Sequence, residues 1–271
     1  MKATLTAALL LLFLGLARAS GVAGEFVHSP VTISSGLDMS RATIPVDVNG
    51  RRYACVLDTG TSAVLVSQSM AQTVGLIAEA PVDEVSPDGL HYADQHTHLE
   101  RLAVAGLLMR DVPALISSKL RGDTMLCGYD FFAQIPTLID RDRQLVTLFP
   151  SIATLDRMRC LPVDLKARVP TARVRVDGAW VDDVVLDSGM VGGGALWNGA
   201  VSALPQAPPG IGLACGYGAY IGLFDGSPPS QIPLCTSSQR PDGYNGIVET
   251  NLPSVHALAV DYPNRRLCFS V

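Results

Sequence analysis

The sequence predicts an all-β protein of two related lobes with a few short helices, on three observations. Apolar residues fall in short alternating or β-branched runs separated by Gly, Pro, Asn and Asp. No long stretch beyond the N-terminal leader has helical periodicity. A strand–turn–strand pattern ending on an aspartate occurs twice, each time followed by a glycine-bearing segment and a final hairpin, an order that chance rarely repeats.

Taken in order, Met1-Lys2, the apolar run Ala7 to Leu16 and the small-residue exit Ala17-Arg18-Ala19 read as a secretory signal over residues 1–19. That run is short for a bilayer span and no later stretch matches it, so no stable membrane span is expected after cleavage, and the protein is expected to be periplasmic or extracellular. The remaining ~250 residues suffice for two lobes. Their boundary is set in the weakly periodic Pro150 to Pro162 segment, giving lobes 20–152 and 153–271.

In the first lobe, Ala42 to Val48 alternates as a strand, Asn49-Gly50 turns it, and Tyr53 to Leu57 runs into Asp58-Thr59-Gly60. Ser69 to Leu76 reads as a short helix stopped by Gly75. In the second lobe, Thr171 to Val176, the turn Asp177-Gly178 and Trp180 to Leu186 lead into Asp187-Ser188-Gly189. Each lobe then has a hydrophobic segment with a glycine: Leu126-Cys127-Gly128, and Tyr244-Asn245-Gly246 with a polar Asn in the middle. Each closes on a hairpin, Leu138 to Leu148 and Leu258 to Phe269.

Composition narrows the function classes. A net charge of -5, 17% charged residues and no basic cluster exclude a nucleic-acid surface. The six cysteines are an even number in an exported chain and read as disulfides. Count alone leaves many pairings open; Cys55 with Cys127, Cys215 with Cys235 and Cys160 with Cys268 are favoured because each pair lies within one lobe or joins its ends. No cysteines are spaced like zinc ligands, and His91, His96 and His98 read as a solvated strand, so no metal or other cofactor is expected. Gly193-Gly194 lacks the Gly-Lys-Ser/Thr of a phosphate loop, and no Gly-x-Ser-x-Gly elbow of a serine hydrolase occurs.

The repeated aspartate carries the chemistry. One carboxylate in a strand-end turn is ordinarily structural, but two on pseudo-symmetric halves would meet at the interface. Like charges that close cannot both ionise near neutrality, so one acid and one base coexist and can activate water between them.

At these residues the chain resembles the pepsin and retropepsin class of aspartic peptidases, in particular small two-lobed exported bacterial members. Val56-Leu57-Asp58-Thr59-Gly60-Thr61-Ser62 is similar to the family signature, Leu126-Cys127-Gly128 to the segment behind it, and Leu102 to Ile116 to the strand pair between flap and segment. The resemblance implies two acid-protease β-barrel lobes and hydrolysis of polypeptides at Asp58 and Asp187. Thr59 and Ser188 would then support the site beside Gly60 and Gly189, with Thr61 bonding the outer oxygen of Asp58. It implies a flap around Pro87 to Tyr92, with Tyr92 as its aromatic. Met190 departs from the family's Ser or Thr, which would cost Asp187 one stabilising bond and favour its protonated form. A single chain supplying both aspartates is preferred. A homodimer pairing two copies of Asp58, and a non-catalytic peptide- or envelope-binding pseudopeptidase, stand as alternatives.

Overall fold

A computed structural model describes residues 28–30, 32–36, 39–85, 91–190, 192–197, 199–201, 204, 213–238 and 243–271. The expected signal segment, the Pro87–Leu90 flap tip and the side chain of Tyr92 lie outside the described residues.

Turn chemistry sets the first strands. Asn49 and Gly50 both adopt positive φ (49° and 87°), the geometry of the tight hairpin joining Met39–Val48 to Arg51–Leu57. Asp177 and Gly178 repeat it (47° and 85°) between Val169–Val176 and Ala179–Asp187. The short helix falls at Gln68–Val74, begun by the Ser67 hydroxyl accepting the Met70 N–H and ended by Gly75 in the left-handed region.

From these hairpins two barrels are built with the same strand order. In the first, Met39–Val48 lies beside Arg51–Leu57, followed by Met125–Cys127, Val64–Ser67, Leu107–Ser117 and His91–Val104. Pairing of Asp47 with Ala103 and of Val48 with Leu102 closes the circle. In the second, Val169–Val176 and Ala179–Asp187 are followed by Gly246–Glu249, Gly194–Trp197, Ser230–Ser237 and Ala214–Gly222, and Val176 pairs with Ile221 to close it. Within each barrel the strand leading to the aspartate runs parallel to its neighbour, Leu57 opposite Cys127 and Leu186 opposite Val248. The ends of those strands are largely buried on both faces, as their unbroken apolar runs require. Pro81–Val85 pairs with His91–Val104 as a hairpin at the place expected for the flap.

The lobes share a third sheet of six strands: His28–Pro30, Leu145–Leu148 and Thr137–Asp140 from the first half, then Ala257–Asp261, Arg266–Ser270 and Arg159–Pro162. At its centre Thr137 faces Val260 and Asp140 faces Ala257, so an approximate twofold axis passes between the final hairpins of the two halves. No helix among the described residues is long and apolar enough to cross a membrane.

Three disulfides join Cys55 to Cys127, Cys160 to Cys268 and Cys215 to Cys235, the favoured pairing. The first ties the strand entering Asp58 to its parallel neighbour; the second closes the edge of the shared sheet. Their loops differ, with separations of 108 residues for Cys160–Cys268 and 20 for Cys215–Cys235. On chain entropy the longer loop contributes about 1.5 kcal/mol more. The Cys160→Ala/Cys268→Ala double variant is therefore expected to melt about 3–6 °C below Cys215→Ala/Cys235→Ala by calorimetry; equal melting temperatures would contradict the loop argument.

Candidate active site

Both aspartates stand where a buried strand ends and the chain must turn. Asp58 follows Leu57 and its N–H donates to the Cys127 carbonyl at 3.1 Å; the Asp187 carbonyl accepts the Thr250 N–H at 2.8 Å. Each is anchored to the neighbouring parallel strand, so the two turns are placed by the barrels themselves.

The residue after each aspartate joins the halves. Thr59 Oγ1 donates to the Leu186 carbonyl (2.7 Å) and accepts the Ser188 N–H (2.9 Å). Ser188 Oγ donates to the Leu57 carbonyl (2.8 Å) and accepts the Thr59 N–H (3.0 Å). Four hydrogen bonds thus relate by the twofold, all buried, and each of the two hydroxyls both donates and accepts. A short β-hydroxy side chain is needed at both places, because it must accept and donate at once.

The glycines that follow explain themselves by what they touch. A Cβ on Gly60 would overlap the Asp187 carboxyl, and one on Gly189 would overlap the Asp58 carboxyl. Each carboxyl therefore lies against the other half's turn, side by side with its counterpart. The Gly60 N–H donates to Asp58 Oδ1 at 2.9 Å; the Gly189 and Met190 N–H groups donate to Asp187 Oδ1 at 2.7 and 2.9 Å. Tyr262, buried beneath, donates its hydroxyl to the Thr59 carbonyl (3.3 Å) and stacks on Tyr129 with ring centroids 5.8 Å apart.

Burial is the main cause of the electrostatics. It raises both carboxyls above their ordinary range. Asp187 is pushed much further, because the Asp58 charge opposes its ionisation and its acid hydrogen is given to Asp58. For Asp58 that hydrogen bond, the Gly60 N–H and the charges of Lys119 and Arg41 act the other way. The raised proton affinity thus belongs to the pair, with the stronger upward push on Asp187.

Several expectations are corrected by register and rotamer. Thr61 is buried, but its hydroxyl finds no partner; its methyl group lies against Gly128, so the bond to the outer oxygen of Asp58 is not made. The second copy of the glycine segment lies three residues later than Tyr244-Asn245-Gly246. Strand pairing puts Asp187 opposite Glu249, as Asp58 is level with Gly128, so a buried glutamate stands in the glycine's place. Met190 packs against the cluster of Val169, Val185, Ala195, Trp197 and Ile247, and its backbone N–H donates to Asp187. His98 lies on a solvated strand as expected, pairing with Glu79 at 3.0 Å on an exposed face.

Sequence reasoning did not single out Tyr262, Glu249, Arg141 or Asn251. Asn251 Nδ2 donates to the Ser188 carbonyl at 2.9 Å, and Arg141 Nη1 donates to the Leu252 and Val255 carbonyls at 2.9 and 3.0 Å. Their only sequence signal is proximity to the closing hairpins.

Carboxyls raised by folding bind protons more readily in the native state than in the unfolded one. Between the unfolded and folded pKa values, native stability therefore falls as pH rises. The sign is opposite to that of a salt-bridged aspartate. The protein is expected to melt higher near pH 5 than at pH 7, and Asp187→Asn to flatten that slope and raise the pH 7 melting temperature by about 2–4 °C for each kcal/mol of relieved burial cost. A slope unchanged in this variant, measured by calorimetry across pH, would contradict the assignment of the raised proton affinity to the pair.

Residues 44–134, from the first hairpin through the helix after Gly128, match the family model described as "gag-polyprotein putative aspartyl protease". No curated protein matches the chain. The matched segment holds Asp58-Thr59-Gly60, the parallel strand partner Met125–Cys127 and Gly128 behind them, so this part of the chain is similar to a retropepsin-like aspartic protease domain.

Proposed function

We propose that the protein is an aspartic endopeptidase in which a single chain supplies both catalytic carboxylates, Asp58 and Asp187. The observation that carries this reading is the reciprocal seating of each carboxyl against the other half's glycine, which brings acid and base to one place within one chain. The aspartyl protease match over residues 44–134 supports a polypeptide substrate.

In this reading Asp58, ionised, takes a proton from a water held between the carboxyls. The water oxygen bonds to the scissile carbonyl carbon while protonated Asp187 gives its proton to the carbonyl oxygen. Two aspartates sharing one proton is the general arrangement of aspartic proteases, and the same division into acid and base is applied to this pair. Collapse of the tetrahedral gem-diol returns one hydroxyl proton to Asp187, breaks the C–N bond and delivers the Asp58 proton to the leaving nitrogen. No covalent intermediate forms. The substrate lies extended between the lobes and pairs its backbone with the Pro81–Val85/His91–Val104 hairpin. Gly60, Gly189, Thr59 and Ser188 hold the pair in place. Three disulfides fit an oxidising compartment, which supports export by the N-terminal leader.

Activity requires one proton on the pair, so it is lost when both carboxyls protonate at low pH and when Asp187 ionises at high pH. The raised Asp187 extends the basic side. Cleavage of an unfolded protein from pH 3 to 8 is expected to be bell-shaped, to be blocked by a statine-type mimic of the gem-diol, and to fall about 10³-fold or more in both Asp58→Asn and Asp187→Asn. Survival of activity in Asp187→Asn alone would favour a homodimer of Asp58 sites, and an inert parent would favour a peptide-binding pseudopeptidase.

A further inference from the structure

Glu249 is a buried carboxylic acid that the proposed chemistry does not use, in the position where the first half has a glycine. Gly128 is forced: a side chain there would overlap the Ala63 carbonyl and Thr61, because the loop after Asp58 lies directly on it. In the second half the loop is one residue longer. Val64 and Gly194 hold equivalent places in the two barrels, opposite Cys127 and Val248, yet six positions separate Asp58 from Val64 and seven separate Asp187 from Gly194. Where the first half has Gly128, the second half with its longer loop has the buried Glu249.

Gly192 and Gly193 lie in that loop with φ of 109° and 104°, values an L side chain rarely holds. Their backbone N–H groups hydrogen-bond the Glu249 carboxyl, and the Glu249 N–H donates to the Gly193 carbonyl at 2.9 Å. The charge of Arg141, which comes from the first half's closing hairpin and donates to two carbonyls of the 252–255 turn, favours the ionised carboxyl. The same loop supplies the Gly189 and Met190 N–H groups to Asp187.

We infer that Glu249 is a positioning residue, gripping the Gly192-Gly193 loop with Arg141 as its counter-charge so that the loop's donors stay aimed at Asp187. The grip replaces the direct loop-on-glycine packing of the first half. It also makes the second half's turn depend on a cation from the first half, so the pair of aspartates is held from both sides of the shared sheet. This inference rests on the peptidase reading for its consequence in turnover, but the grip itself does not.

The test uses the full chain with Glu249→Gly, the residue of the first half, together with Glu249→Gln, Arg141→Met and the Glu249→Gln/Arg141→Met pair. Hydrogen exchange of amides in residues 187–197 is expected to quicken about tenfold or more in Glu249→Gly and Arg141→Met, with amides of residues 58–67 unchanged. On an unfolded-protein substrate, kcat is expected to fall about tenfold with KM within about twofold, and the double variant to be no slower than the slower single one, because both act through one loop. Unchanged exchange at 187–197 would overturn the inference, as would additive kcat losses. If the parent cleaves nothing, the exchange result still decides the grip, while the peptidase reading fails by itself.

Discussion

The reciprocal hydrogen bonds between Thr59 and Ser188 are the constraint on which the rest of the structure depends. Each hydroxyl binds a backbone N–H and a carbonyl of the opposite half, at the residues flanking the opposite aspartate. A shift of either lobe would leave buried donors and acceptors unpaired, at about 1–3 kcal/mol for each group left without a partner. The two barrels and the six-stranded sheet bring the turns near each other, but these four bonds fix them in register. Close contact of two carboxyls, and the proton they share, follows from that register.

Charge is used at the lobe interface in a related way. Arg168, from the second half, pairs with buried Asp130 just beyond Gly128 and lies over the Tyr129 ring at 4.5 Å. Arg141, from the first half, lies within electrostatic reach of Glu249 in the second and donates to the Leu252 and Val255 carbonyls. Each half thus sends one cation toward a buried acid near the other half's aspartate turn. Losing Arg168 would strand the buried Asp130 charge, so that pair penalises displacement of the lobes more than it adds to stability.

Much of this was legible in the sequence because it is local. Asn49-Gly50 and Asp177-Gly178 dictate their hairpins by backbone conformation, Ser67 and Gly75 bound the helix, and the two Asp-Thr/Ser-Gly turns mark the ends of buried strands. The repeat itself made the pairing of Asp58 with Asp187 readable without coordinates. What escaped depends on register between strands far apart in the chain. A one-residue lengthening of the loop after Asp187 accompanies the move of the glycine-equivalent position from Gly246 to Glu249, and no local pattern reveals that. Thr61 fails for another reason: its rotamer satisfies packing against Gly128 and leaves its hydroxyl unbonded, a choice that residue type alone does not determine.

The central claim is that one chain builds one complete site. Titration of the purified protein with a statine-type inhibitor, with the mass of the complex read by sedimentation, tests this directly. The account predicts one inhibitor bound per chain at monomer mass. One inhibitor per two chains, at dimer mass, would contradict it.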